Sequence, residues 1–230
     1  DWSSDVCSSD LSGGSFSGVI KVDAKSYDVL GLRNGFARAT ALSLLEDREG
    51  NMWIGSYSTG LTQYKNKLFK TYTELHGLKK DNIRAIVEDP AGTIWIGHGG
   101  GVSKFDPIHP KLHPKSGLPS MMYGTGFEHY QPQDYGASNS VWSMLADSKG
   151  NVWIGTGYGL VKNLPPPTNG GKTSVESFFQ NDGKTYLYRN SKPRRFWMYE
   201  RPTNACMALC EDSKGYLWIG TFGGLHKLNI

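Results

Sequence analysis

The 230-residue sequence predicts an all-β fold built from repeated four-stranded antiparallel units. Three observations predict it. One phrase, Asp-x-x-Gly-x-Φ-Trp-Ile-Gly with Φ hydrophobic, occurs four times, at 47–55, 89–97, 147–155 and 212–220. Each copy follows an apolar, alternating run and precedes a glycine with a short strand-like run. The chain also holds 29 Gly and 11 Pro beside 7 Trp, 12 Tyr and 9 Phe, with no long stretch of helical periodicity. Such a profile suits many short strands joined by turns.

Taken in order, Ser17-Gly-Val-Ile-Lys-Val-Asp23 reads as the third strand of an earlier unit, because it matches Gly101-Val-Ser-Lys-Phe-Asp106. First strands are expected at Ala41–Leu45, Ile83–Val87, Val141–Leu145 and Cys206–Cys210. The Asp-x-x-Gly turn follows each. Its Asp caps the turn through the side chain, and its Gly supplies the left-handed backbone of a short bulged hairpin. Second strands carry the Trp. Third strands are expected at Gly60–Tyr64, Gly101–Phe105, Gly159–Asn163 and Gly224–Leu228, and a fourth at Leu68–Tyr72.

Four strands per unit, at a period of 42 residues from Trp53 to Trp95, describe a β-propeller blade. Later spacings stretch to 58 and 65, and the excess falls in insertions at 106–126 and 164–199. Within the second insertion, Lys184–Arg189 and Phe196–Tyr199 are expected to supply the missing outer strand. Residues 15–230 thus read as a partial propeller with blades centred on Trp53, Trp95, Trp153 and Trp218. It begins and ends mid-blade, an incomplete arc of about four to five blades from a ring of about seven.

The segment Asp1–Leu11 matches no part of the repeat and lacks the basic start and apolar run of a signal peptide. It resembles translated sequencing-adapter read-through. Residues 1–14, Cys7 included, are therefore expected to be non-native and the chain a fragment of a longer gene. The net charge of +4 is mild and dispersed, giving no case for nucleic-acid binding. No apolar run approaches the roughly 20 residues of a bilayer-spanning helix. Cys206 and Cys210 should share one strand face about 13 Å apart, too far for a disulfide, and read as small buried hydrophobes.

The repeat resembles the two-component regulator propeller family, whose blades carry Asp-x-x-Gly-x-Φ-Trp-Ile-Gly-Thr followed by Gly-Leu and a short strand. Thr156 and Thr221 complete that signature, while Ser56 and His98 depart from it. His76-Gly-Leu78 and Gly31-Leu32 match the Gly-Leu before the family's inner strand. No Gly-His…Trp-Asp pairing of a tryptophan-aspartate repeat occurs. The resemblance spans nearly all of 17–230. It implies a periplasmic or extracellular sensor region of a bacterial hybrid histidine kinase, often recognising carbohydrate breakdown products. A neighbouring propeller or β-sandwich of the same parent is the implied partner. No kinase part lies in this sequence, so no catalytic residue and no cofactor is expected here.

The residues can be weighed on this frame. Asp47, Asp89, Asp147 and Asp212 are expected to be turn caps on separate blades, not a converging acid–base pair. The four Trp are expected to fill the gaps between blades, with sugar stacking as the lesser reading. His109 and His113 form the nearest thing to a metal pair, but no third ligand is near and no metal is expected. Function points to the face opposite the Asp turns, where Asn34, Lys80 and Asp81 accompany ten expected ligand contacts. These are Arg38, Tyr57, Asn82, His98, Tyr135, Asn139, Tyr158, Arg201, Asn204 and Phe222. Ordinary solvated loops are the alternative. Lys184, Tyr186, Tyr188, Arg189, Lys192, Arg194, Arg195 and Trp197 interleave charge and rings that suit an anionic oligosaccharide, or a solvated excursion.

The expected function is therefore non-enzymatic ligand sensing, with an oligosaccharide as the ligand. The alternatives are a protein-interaction propeller without a small ligand and, behind it, a propeller lyase-type enzyme.

Overall fold

The computed structural model describes residues 19–22, 27–31, 35–36, 40–107, 126–130, 140–157, 159–162, 176–181, 184–188, 205–222 and 224–230. For 21–22, 27–28, 176–181 and 184–188 the description is of the backbone alone. Asn34, Arg38, His109, His113, Tyr135, Asn139, Tyr158, Arg189, Lys192, Arg194, Arg195, Trp197, Arg201, Asn204 and the segment 1–14 lie outside the described residues.

Among the described residues, five antiparallel sheets follow one another along the chain. The first pairs β1 (Val19–Val22) with β2 (Tyr27–Leu30). The next holds β3 (Ala41–Glu46), β4 (Met52–Ser56), β5 (Leu61–Lys65) and β6 (Leu68–Tyr72). The third holds β7 (Ile83–Glu88), β8 (Ile94–His98), β9 (Gly101–Phe105) and β10 (Glu128–Tyr130). The fourth runs through β11 (Val141–Ala146), β12 (Val152–Thr156), β13 (Gly159–Lys162), β14 (Glu176–Asn181) and β15 (Lys184–Tyr188). The last holds β16 (Cys206–Glu211), β17 (Tyr216–Thr221) and β18 (Gly224–Asn229). The inner strands β3, β7, β11 and β16 touch in series, so the sheets stack as propeller blades. Among the described residues the first and last sheets share no strand, and the arc is open.

Three of these assignments differ from the sequence expectation. The fourth strand of the third blade is Glu176–Asn181, which pairs with β13. Lys184–Tyr188 pairs outside it as a fifth strand, and Phe196–Tyr199 lies outside the described residues. In the second blade Glu128–Tyr130 supplies the outer strand immediately after the insertion.

The third difference concerns the cysteines. Every inner strand carries a β-bulge at its second residue: Leu42, Arg84, Trp142 and Met207. The extra residue reverses the alternation, so Cys206 shares a face with Leu209 and not with Cys210. Cys206 is buried and Cys210 is exposed. Burial pushes the Cys206 thiol up to about 12.

Apolar residues on facing blades form four seams. Val19, Leu30 and Phe36 pack on Ala41, Met52 and Ile54. Trp53, Leu61 and Tyr72 meet Ile83, Ile86, Ile94, Ile96, Phe105 and Phe127. Ala85, Trp95, Val102 and Tyr130 meet Val141, Met144, Val152, Ile154 and Val161. Trp153 and Leu160 meet Cys206, Leu217 and Ile219. Trp53, Trp95 and Trp153 thus fill the seams, while Trp218 is half-buried on the last blade. The glycine of Trp-Ile-Gly is there because the next blade comes so close. A Cβ on Gly55 would lie 2.6 Å from Ile83 Cγ2, on Gly97 2.5 Å from Val141 Cγ1, and on Gly155 2.7 Å from the Cys206 carbonyl oxygen.

The turns close as their residues dictate. Gly50, Gly92, Gly150 and Gly215 hold φ between 76° and 88°, the left-handed region that a side chain disfavours. Each donates its N–H to the carbonyl of the turn's Asp at 2.9 to 3.0 Å.

Candidate functional site

Because the Asp turns join first to second strands, they occupy one end of the blades. The connections at 57–60 and 99–100, with residues 157 and 222 and the residues just before the inner strands, Thr40, Asn82, Ser140 and Ala205, occupy the other. An open cleft of about 420 Å³ lies at that second end, lined by Tyr57, Ser58, Glu74, Lys80, Asp81, Asn82, Gly99 and Ser140. It spans three consecutive blades.

Its walls are built by local hydrogen bonds. After β6 a single 3-10 turn, Glu74–His76, is capped by Thr73, whose N–H donates to His76 Nδ1 at 3.1 Å. Gly77, at φ 93°, ends it. Glu74 N–H donates to Asp81 Oδ1 at 2.8 Å, and Lys80 Nζ pairs with Glu74 Oε1 at 3.4 Å. The Asp81 carbonyl accepts from Gly60 N–H at 3.0 Å, which ties this wall to the loop bearing Tyr57 and Ser58. Asn82 Oδ1 accepts from Gly99 N–H at 3.1 Å, and Ser140 Oγ donates to the Gly99 carbonyl at 3.3 Å. Each blade thereby fixes the loop of its neighbour.

Of the ten expected contacts, the structure brings Tyr57 and Asn82 together in this cleft. Tyr57 is 62% exposed. Phe222 holds the matching loop position in the last blade, is 70% exposed and stands apart from the cleft. His98 is a correction: its side chain is fully buried and no ligand on this surface reaches it. Its place is fixed by a short polar chain. Gly100 N–H donates to His98 Nδ1 at 3.1 Å, so the neutral ring carries its proton on Nε2 and donates to Ser103 Oγ at 2.8 Å. Ser103 then donates to His129 Nδ1 at 2.8 Å, and His129 hydrogen-bonds the Gly77 backbone. Burial first, then the charges of His129, Lys79 and Lys80, lower His98 to about 4. The histidine is a neutral strut beneath the Gly99–Gly100 loop.

Glu74, Ser58, Gly99 and Ser140 were not foreseen as lining residues. Only the Thr73-x-x-His76-Gly77 cap, readable as a helical-turn signal, hinted that a structured wall follows β6. Chemically, the cleft offers carboxylates at Glu74 and Asp81, an ammonium at Lys80, an amide at Asn82 and an exposed ring at Tyr57. That set can accept and donate to hydroxyls while an aromatic face covers C–H groups. Among the described residues no group of three His, Cys, Asp or Glu could hold a metal ion, and no helix is long and apolar enough to cross a membrane.

No curated protein sequence matches the chain. Among solved structures, it superposes on the extracellular domain of a putative hybrid two component system from B. thetaiotaomicron at TM-score 0.59 and 18% identity, covering 92% of this chain and 24% of that one. It superposes on virginiamycin B lyase from Staphylococcus aureus at TM-score 0.54 and 13% identity, covering 93% of this chain and 63% of that one. These likenesses establish the propeller fold, and the chain spans about a quarter of the first relative's length. The two component regulator propeller model matches at residues 35–58, 77–100, 135–158 and 200–223, each segment holding an inner strand and one Asp-x-x-Gly-x-Φ-Trp-Ile-Gly phrase. The chain carries four two component regulator propeller repeats.

Proposed function

We propose that this chain is the ligand-sensing, extracytoplasmic part of a two-component sensor, and that the cleft at 57–58, 74, 80–82, 99 and 140 binds a carbohydrate fragment. The observation that carries this reading is the cleft's construction across three blades. A ligand held there by Tyr57, Asp81, Asn82 and Ser140 would tie those blades together, and the parent protein would sense the changed packing. The family of its repeats is regulatory, and the B. thetaiotaomicron relative is described as an extracellular domain. No acid–base pair is required for such a role.

Thermal-shift screening of the chain against neutral and anionic oligosaccharides tests the reading. At least one member should raise the melting temperature, with the shift lost in Asn82→Ala. A panel without a single stabilising member would remove the carbohydrate reading.

A protein partner is the second reading, favoured by one observation: Leu75, beside the cleft wall, is 92% exposed. Leu75→Ser separates the two, since it should weaken a protein partner and leave a glycan's affinity unchanged.

A further inference from the structure

The outer face of the last blade repeats, position by position, surfaces that are covered elsewhere in the chain. Leu61, Val102 and Leu160 follow the third-strand glycine and are each 1% exposed or less under the next blade. Leu225 holds the same place at 68%. Leu45, Val87 and Leu145, opposite the Trp, pack into seams, whereas their counterpart Cys210 is exposed. Gly220 is also revealing. A Cβ there would meet nothing nearer than Ala208 Cβ of its own sheet at 3.4 Å, although the other three glycines are pressed by a neighbour.

A second feature says what covers such a face. The residue after the turn Asp reads the residue before the next blade's Asp. Arg48 N–H donates to Glu88 Oε2 at 2.9 Å, with its Nε on Oε1 at 2.6 Å. Ser148 N–H donates to Glu211 Oε2 at 2.7 Å, with its hydroxyl on Oε1. Where that residue is Pro90, which has no N–H, the next blade carries Ala146 and no carboxylate. Pro90 lies against the turn of that blade instead, its Cγ 3.3 Å from where a Cβ on Gly150 would stand. Donor and carboxylate therefore occur together or are missing together. Ser213, the corresponding residue of the last blade, is exposed and has an N–H and a hydroxyl.

We infer that the face formed by Cys210, Trp218, Gly220 and Leu225 docks a further repeat of this type whose inner strand ends in Glu-Asp, its Glu being bound by Ser213. Its apolar strands cover Leu225 and Cys210 as β7, β11 and β16 cover the earlier faces. The choice between Glu-Asp and Ala-Asp repeats is made at Ser213, which gives the blades an order.

The full chain, extended at its C-terminus by a copy of residues 67–107, tests this directly, because that copy supplies β6 as the last blade's outer strand and then an inner strand with the Glu88-Asp89 pair. The readout is the maleimide-labelling rate of Cys210, resolved from Cys7 and Cys206 by peptide fragmentation. The extension should slow Cys210 about tenfold or more, since labelling then requires the blade to open. Replacing the copied Glu88 by Ala should restore about fivefold of that rate, the worth of a solvent-exposed carboxylate contact. Ser213→Pro, which reproduces the Pro90 situation, should have the same effect, and the two changes together should add nothing further. Unchanged labelling on extension overturns the docking surface, and equal protection by the Glu and Ala copies overturns the reading by Ser213. Concentration-dependent protection of the unextended chain overturns the occupant in favour of a second copy.

Discussion

The indole Nε1 of Trp53 donates to Oδ2 of Asp47 at 2.7 Å, while Oδ1 of the same carboxylate accepts the N–H groups of Glu49 and Asn51. The bond recurs as Trp95 to Asp89 at 2.8 Å, Trp153 to Asp147 at 2.7 Å and Trp218 to Asp212 at 2.8 Å. The six-residue spacing of the repeat is thus the spacing of a clamp. The carboxylate orders the turn with one oxygen and satisfies the indole inside the seam with the other.

Removing the clamp should be costly. In Asp147→Ala the Trp153 Nε1–H and the Asn151 N–H lose their acceptor at a site only 4% exposed. Urea denaturation should show a loss of roughly 2–4 kcal/mol. A change within experimental error would mean that the turn holds its shape without the carboxylate.

The clamp also titrates. Burial raises Asp147, but the hydrogen bonds of Trp153, Asn151 and Lys149 outweigh it and hold the group below its ordinary value. The Trp218 hydrogen bond does most to lower Asp212. With the folded value below the unfolded one, this stability is complete above about pH 4 and disappears as pH falls through the folded value. Asp147→Asn should therefore lose less stability than the parent between pH 4 and pH 2. Parallel acid-unfolding curves would contradict this.

His98 acts in a higher window. Its folded value near 4 lies below the unfolded value of about 6.5, so the unfolded chain takes up a proton that the folded chain refuses. Stability should decline from pH 7 to pH 4, by roughly 3 kcal/mol in all from this group. His98→Asn should start less stable at pH 7 and vary less with pH across that range. Equal slopes for the two proteins would remove His98 as the cause.

The seam glycines differ in a measurable way. Gly97→Ala drives a methyl to 2.5 Å from Val141 Cγ1, so it should destabilise by about 2–3 kcal/mol. Gly220→Ala, with Ala208 Cβ at 3.4 Å, should lie within about 0.5 kcal/mol of the parent. Similar costs at both positions would show that the seam does not set the choice of glycine.

The blades were legible because alternation and turn chemistry repeat with them: each Asp-x-x-Gly lies between strands where expected. Other features were hidden for physical reasons. A bulge at Met207 adds one residue without altering the apolar pattern, so the separation of Cys206 from Cys210 could not be read. Glu176–Asn181 carries no repeat signal and becomes a strand by pairing with β13. His98 looked like a surface residue because it borders the Gly99–Gly100 turn; it is in fact the last residue of β8, a position also buried at Ser56 and Thr156, and its ring is held by Ser103 across the strand pair and by His129 beyond it. The cleft was half legible. Tyr57 and Asn82 were identified by type and position, but Glu74 enters only through the Thr73-capped turn.

The most direct test of the sensing account is a calorimetric titration of the best-stabilising oligosaccharide into the parent chain, Tyr57→Ala and Phe222→Ala. Binding in the cleft predicts that Tyr57→Ala weakens affinity by about tenfold or more while Phe222→Ala leaves it unchanged. Equal affinity for the parent and Tyr57→Ala would place the ligand elsewhere and contradict the account.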